Sequence, residues 1–164
     1  MRLKQLSFEQ LAGLHPKLDV NIKVTSQLIY TAKYEDFSPA GLERMLLLYP
    51  IHVIRQRNDD NVYDVVAGLR QYELLCVFHA LQNVENSQHS TKFLQTIQVI
   101  EHDKLAARQI HELASCDIAG SALLFSLGTK VVAQLEIIKN SLEPKIVEQF
   151  PKFNSGRRMA DRGS

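Results

Sequence analysis

The sequence predicts an α+β fold: a small mixed sheet with helices, followed by a C-terminal helical segment. Three observations lead there. Apolar and polar positions partly alternate in Ile51–Arg57, and Val62–Val66 is β-branched and aromatic, as strands prefer. Asn58-Asp59-Asp60-Asn61 between them is turn chemistry, because Asn and Asp tolerate left-handed backbone and bond locally. Ala67-Gly68 then breaks the strand, and Leu69–Leu81 carries apolar residues at helical spacing.

The other elements follow from similar signals. Ser7-Phe8-Glu9-Gln10 has capping-box spacing and predicts a short helix from Phe8 to about Leu14, stopped by His15-Pro16. Asp19–Val24 places Val20, Ile22 and Val24 on one side, which predicts a strand; Gln27–Ala32 continues it or turns into a second. Ser38-Pro39 is a helix start, with serine as cap and proline in the first turn, and Leu42, Met45, Leu46 and Tyr49 lie on one face. Gln82–Lys92 is polar and aperiodic, hence a loop. Phe93–Glu101 reads as the strand that closes the sheet, and Asp103 as the cap of the next helix. From Lys104 the chain is helical to about Leu142, with a first segment ending around Ser115–Asp117. The domain division that follows is an α+β domain over 1–117, a packed helical appendage over 118–143 and a flexible basic tail over 144–164.

Composition narrows the function. The chain has 164 residues, 45% of them hydrophobic, and a formal net charge of +1, so it can bury a core and shows no global polyanion signature. No apolar run reaches membrane-span length, and MRLKQLSFEQ lacks the apolar core of a signal peptide, so a cytoplasmic protein with no membrane contact is expected. Cys76 and Cys116 form no metal or redox spacing, and Cys76 lies among Leu74, Leu75 and Val77 as an inert thiol. Glu101-His102-Asp103 invites a metal or catalytic reading but brings no third or fourth ligand with it, and the remaining histidines show no ligand spacing.

The segment that carries chemistry is the helix start at Gly68. A helix that begins just after a strand leaves its first N–H groups unpaired, and these with the helix dipole form an anion site. Gly68 and Leu69 would offer backbone donors, and Arg70 and Gln71 side-chain donors. The plainer alternative, a glycine that only turns strand into helix, is favoured on spacing alone.

The run Val62–Tyr72, VYDVVAGLRQY, together with Pro50-Ile51-His52-Val53, resembles the ParB/sulfiredoxin superfamily. ParB-type proteins carry Pro-Ile-x-Val, a hairpin and Tyr-x-x-Val-Ala-Gly-x-Arg-Arg-aromatic. Sulfiredoxins carry Gly-Gly-Cys-His-Arg-Tyr-Glu where this chain has Ala67–Glu73. The resemblance covers roughly Ser38 to Asp117 and implies a divergent ParB N-terminal-type domain. It would bind a nucleotide, a nucleoside triphosphate with Mg²⁺, or a nucleic-acid phosphate at Gly68, Leu69, Arg70 and Gln71. The biology it implies is DNA binding in plasmid partition or mobile elements. The departures are specific. Leu69 stands at the sulfiredoxin nucleophile, Gln71 at the second ParB arginine, and IHELASCD (Ile110–Asp117) where ParB proteins carry Glu-Asn-x-x-Arg.

Two alternatives accompany this reading. One is a phosphotransfer or nuclease enzyme, with Glu35, Asp36 and Glu43 as metal-binding carboxylates. The other is an interaction module that has lost its ligand, self-associating as a homo-oligomer through the apolar helices between Ile118 and Leu142. A helix-turn-helix in that region is disfavoured, because only Arg108, Lys130 and Lys139 are basic between Ala106 and Asn140. The tail's Lys152, Arg157, Arg158 and Arg162 offer weak attraction for an acidic partner or nucleic acid.

Overall fold

A computed structural model describes residues 1–25, 34–84 and 96–125. Five strands form one mixed sheet: β1 (Arg2–Leu6), β2 (Leu11–Leu14), β3 (Ile51–Arg55), β4 (Tyr63–Ala67) and β5 (Ile97–His102). Their order is β1-β5-β3-β4-β2. The pairs β1–β5 and β3–β4 are antiparallel, while β3–β5 and β2–β4 are parallel. Among the described residues four α-helices accompany the sheet: α1 (Asp19–Thr25), α2 (Pro39–Leu48), α3 (Leu69–Val84) and α4 (Ala107–Phe125). The α+β class read from the sequence is the observed one.

β3 and β4 form a hairpin. Arg55 pairs with Tyr63 and His52 with Ala67. The turn is closed by the Gln56 N–H donating to the Val62 carbonyl at 2.9 Å, and Asp59 Oδ1 accepts from the Asn61 N–H at 2.8 Å. Ile51, Val53, Tyr63, Val65, Val66 and Val99 are fully buried, and the helices add Leu42, Leu46, Leu74, Leu75, Ile110 and Ala114 to the same core. Ser38 caps α2, its hydroxyl accepting from the Gly41 N–H at 3.0 Å.

Several expectations are corrected. Phe8–Gln10 makes only a 3-10 turn, although the Gln10 side chain does accept from the Ser7 N–H at 2.9 Å. The chain then enters β2, because Gly13 takes φ +132, which no helix allows, at a bulge facing β4. Pro16 starts structure rather than stopping it: the His15 ring caps a 3-10 turn over Pro16–Leu18 that leads into α1. Asp19–Thr25 is therefore helix, not strand. The buried Asn21 explains the choice, since its amide donates to the Ser115 hydroxyl at 3.1 Å and its carbonyl meets the His111 ring at 3.0 Å, tying α1 to α4. Tyr49 leaves the apolar face of α2 and is exposed. β5 lies between β1 and β3 rather than at the edge, because β1, not expected at all, pairs outside it. Asp103 is no helix cap. It accepts from the N-terminal ammonium, and α4 begins four residues later with the Gln109 side chain bonded to the Ala106 N–H. α4 then runs unbroken through Ser115–Asp117. Residues 26–33, which include all of Gln27–Ala32, residues 85–95 of the expected loop and the start of Phe93–Glu101, and everything beyond Phe125 fall outside the described residues.

Glu101 is the anomaly of the core. It points to the same side of β5 as Ile97 and Val99 and is 2% exposed. Arg2 donates to both its oxygens at 2.9 and 3.2 Å, Arg55 adds a bond at 3.2 Å, and Lys4 stands 3.7 Å away. The hydrogen bonds from Arg2, aided by the nearby charges of Lys4 and Arg55, hold this carboxylate below its ordinary value of 4.5 against the effect of burial. A carboxylate with a depressed value stabilises the fold above its ordinary pKa and loses that contribution as pH falls below it. Glu101→Gln is expected to lower unfolding stability by about 1.5–3 kcal/mol at pH 7 and to remove the Glu101 share of the stability lost below pH 4.5. Urea unfolding between pH 3 and 7 measures both.

Candidate functional site

Gly68 is a glycine for reasons internal to the fold. Its φ is +75, a left-handed conformation that other residues avoid, and a Cβ there would stand 3.0 Å from the Ile51 Cα. The residue thus turns β4 into α3 while pressing against β3. The two donors expected at this turn are in place and engaged. The Gly68 and Leu69 N–H groups both donate to Oδ2 of Asp117, at 3.0 and 3.1 Å. A carboxylate from α4 therefore sits where a helix start attracts an anion.

Of the four residues expected to hold phosphate, Gly68 and Leu69 converge on one point through their backbone. Arg70 is turned to the surface of α3, where its guanidinium pairs with Glu73. Gln71 lies in the same helical turn and is half-buried. Leu69, at the sulfiredoxin nucleophile position, buries its side chain in the core. Asp117 was the residue that sequence reasoning missed as a member of this site. It fell in the segment read as lacking the family motif, and nothing in its spacing reveals a partner 49 positions away.

Beside the turn lies a histidine pair. His52 on β3 and His102 on β5 bring Nδ1 and Nε2 to 3.0 Å, with rings stacked at 5.2 Å between centroids. Burial lowers the pKa of both below 6.5, while the Asp117 charge opposes this at His52 and Asp103 opposes it at His102. The charge of His52 and that of the N-terminal ammonium lower His102 further. A neutral pair of this kind stabilises the fold above 6.5 and loses its contribution as pH falls below that value. Glu35, Asp36 and Glu43 form no group with metal-holding geometry. Among the described residues, no three His, Cys, Asp or Glu side chains do.

Cys116 is exposed on α4 and Cys76 half-buried on α3, where burial pushes its thiol, and the neighbouring Tyr72 hydroxyl, upward. In native protein at neutral pH, a thiol reagent should label Cys116 rapidly and Cys76 slowly, so Cys116→Ser retains only the slow phase. His102→Gln should reduce, and His52→Gln with His102→Gln should abolish, the part of the acid destabilisation that begins below pH 6.5 while leaving the part below 4.5 intact, as read from thermal melts across that range.

No family model matches the chain, and no curated protein does. Among solved structures, the chain is similar to the C-terminally truncated chromosome-partitioning protein ParB from Caulobacter crescentus, complexed with CTP-γ-S. That similarity has a TM-score of 0.49 and 15% sequence identity, and covers 99% of this chain and 77% of the other.

Proposed function

We propose that the start of α3 is a phosphate-binding site, that the protein is a nucleotide- or nucleic-acid-phosphate-binding module, and that Asp117 occupies the site in the unliganded form. The observation that carries this is the convergence of the Gly68 and Leu69 N–H groups on one carboxylate oxygen. These donors already hold an oxyanion, and a phosphate oxygen makes the same two bonds. Arg70, in the first turn of α3, supplies a guanidinium once it exchanges its present partners, Glu73 among them, for the ligand. The likeness of Ala67–Tyr72 to the ParB motif makes a nucleoside triphosphate with Mg²⁺ the first ligand to try, and a role in DNA partition the first biological setting.

A second reading is an interaction module. The last turn of α2 leaves Leu47, Leu48 and Tyr49 exposed by 51%, 72% and 43%, an apolar cluster suited to a protein partner or a second copy of the chain.

The two readings separate in titrations with ATP, CTP and GTP in the presence of Mg²⁺. If Asp117 competes with phosphate, Asp117→Asn removes the competing charge and tightens binding. Arg70→Ala removes a charge-assisted contact and weakens it about tenfold to a hundredfold. These opposite signs are the signature of the site. Unchanged affinity in both folded variants rejects it, and the absence of nucleotide binding by wild type and Asp117→Asn alike puts the interaction module forward.

A further inference from the structure

A second site lies at the other end of the sheet. β3 carries His52 opposite Ala67, beside the Gly68 turn, and Arg55 opposite Tyr63, three residues further along. Around Arg55 opens a cleft of about 1060 Å³, at the upper end of the range for small-ligand pockets. It is formed by the end of β3, the segment after β5, the turn after β2 and the first residues of α4.

Its charges do not cancel locally. Arg2, Lys17, Arg55, Arg57 and Lys104 line it against four carboxylates, each already engaged. Glu101 is held by Arg2 and Arg55, Asp60 by Arg55, Asp103 by the N-terminal ammonium and Asp64 by the Gln56 amide. Lys17, Arg57 and Lys104 are exposed and make no ion pair among the described residues. The Nε of Arg55 is buried and has no hydrogen-bond partner there. α4 begins at the same cleft with no acidic residue in its first turn, so its positive end faces these cations uncompensated. Among the described residues no Phe, Tyr or Trp side chain lines the cleft, and His15 is its one ring, which makes contact with the backbone rather than stacking on bases its main mode of recognition.

We propose that this cleft binds the phosphodiester backbone of a nucleic acid, without reading sequence, through Lys17, Arg57 and Lys104, with the start of α4 as a further donor. The site is separate from the Gly68 turn. Asp117 and Ala107 are ten residues apart on α4, or about 15 Å, so either site can fail without the other.

Fluorescence anisotropy with labelled mixed-sequence 20-mer duplexes, titrated across a range of salt concentrations, tests the proposal. Lys17→Ala, Arg57→Ala and Lys104→Ala should each weaken binding equally on unrelated sequences and reduce the salt slope by about 1. Arg44→Ala, which removes the same charge from the exposed surface of α2, should not change the slope. Circular dichroism confirms that each variant is folded. Cleft variants that behave like Arg44→Ala, or a wild-type protein that does not bind the duplex, overturn the proposal. Competition by inorganic pyrophosphate as effective per phosphate as that by unlabelled duplex also overturns it, and assigns the cleft to a free polyphosphate.

Discussion

One oxygen of Asp117 accepts the N–H groups of both Gly68 and Leu69, and the arrangement of the chemically interesting half of the molecule depends on that bond pair. Gly68 is pressed against Ile51 and cannot carry a side chain, so the turn has no side chain of its own to satisfy its donors. The acceptor must come from another element, and α4 supplies it. Once α4 is fixed by Asp117, Ser115 and His111 reach the buried Asn21 and orient α1. The result is a helix held at its middle by polar bonds and on its inner face by Ile110 and Ala114. Buried polar groups tolerate few geometries, so these bonds specify the position of α4 more narrowly than apolar contact does.

The sequence made the centre of the fold readable and left its edges obscure, for physical reasons. The β3–β4 hairpin, the Gly68 turn, α2 and α3 announce themselves because their signals are local: turn residues, a serine-proline start, a glycine and helical spacing. β1 and β2 carry no such signal. RLKQL does not alternate in hydrophobicity, and its Leu3 is exposed, so this strand exists because β5 offers it a ladder. α1 has the period of a strand in Val20, Ile22 and Val24, but tertiary bonds through Asn21 overrule it. The site was half legible for the same reason. Gly68 and Leu69 are adjacent in sequence and read as donors, whereas Asp117, Glu101 and the His52–His102 pair acquire meaning only when distant strands and helices meet.

The near-neutral composition also concealed the distribution of charge. A formal net charge of +1 is compatible with a uniformly mixed surface. The fold instead concentrates Arg2, Lys17, Arg55, Arg57 and Lys104 at one end of the sheet and spends much of the nearby negative charge on internal pairs. Glu101 is the clearest case: burying it neutralises its own partners and leaves their neighbours as the exposed field. Net charge describes solubility and encounter; local pairing decides which surface attracts an anion.

The strand order has a consequence for the time course of folding. The hairpin joins Arg55 to Tyr63 across a short turn, while the β1–β5 ladder must bring Arg2 to Glu101 across 99 positions. Closing the longer loop costs about 2 kcal/mol more chain entropy, and contacts of such separation slow the search. The hairpin and α3 therefore provide the template, and β1 docks only after β5 has been laid beside β3. Until then Glu101 lacks Arg2 and Lys4, and the sheet exposes the backbone of β5 as an open edge. Of the described strands, β1 has the pairing of longest sequence separation, and the sheet accepts it last.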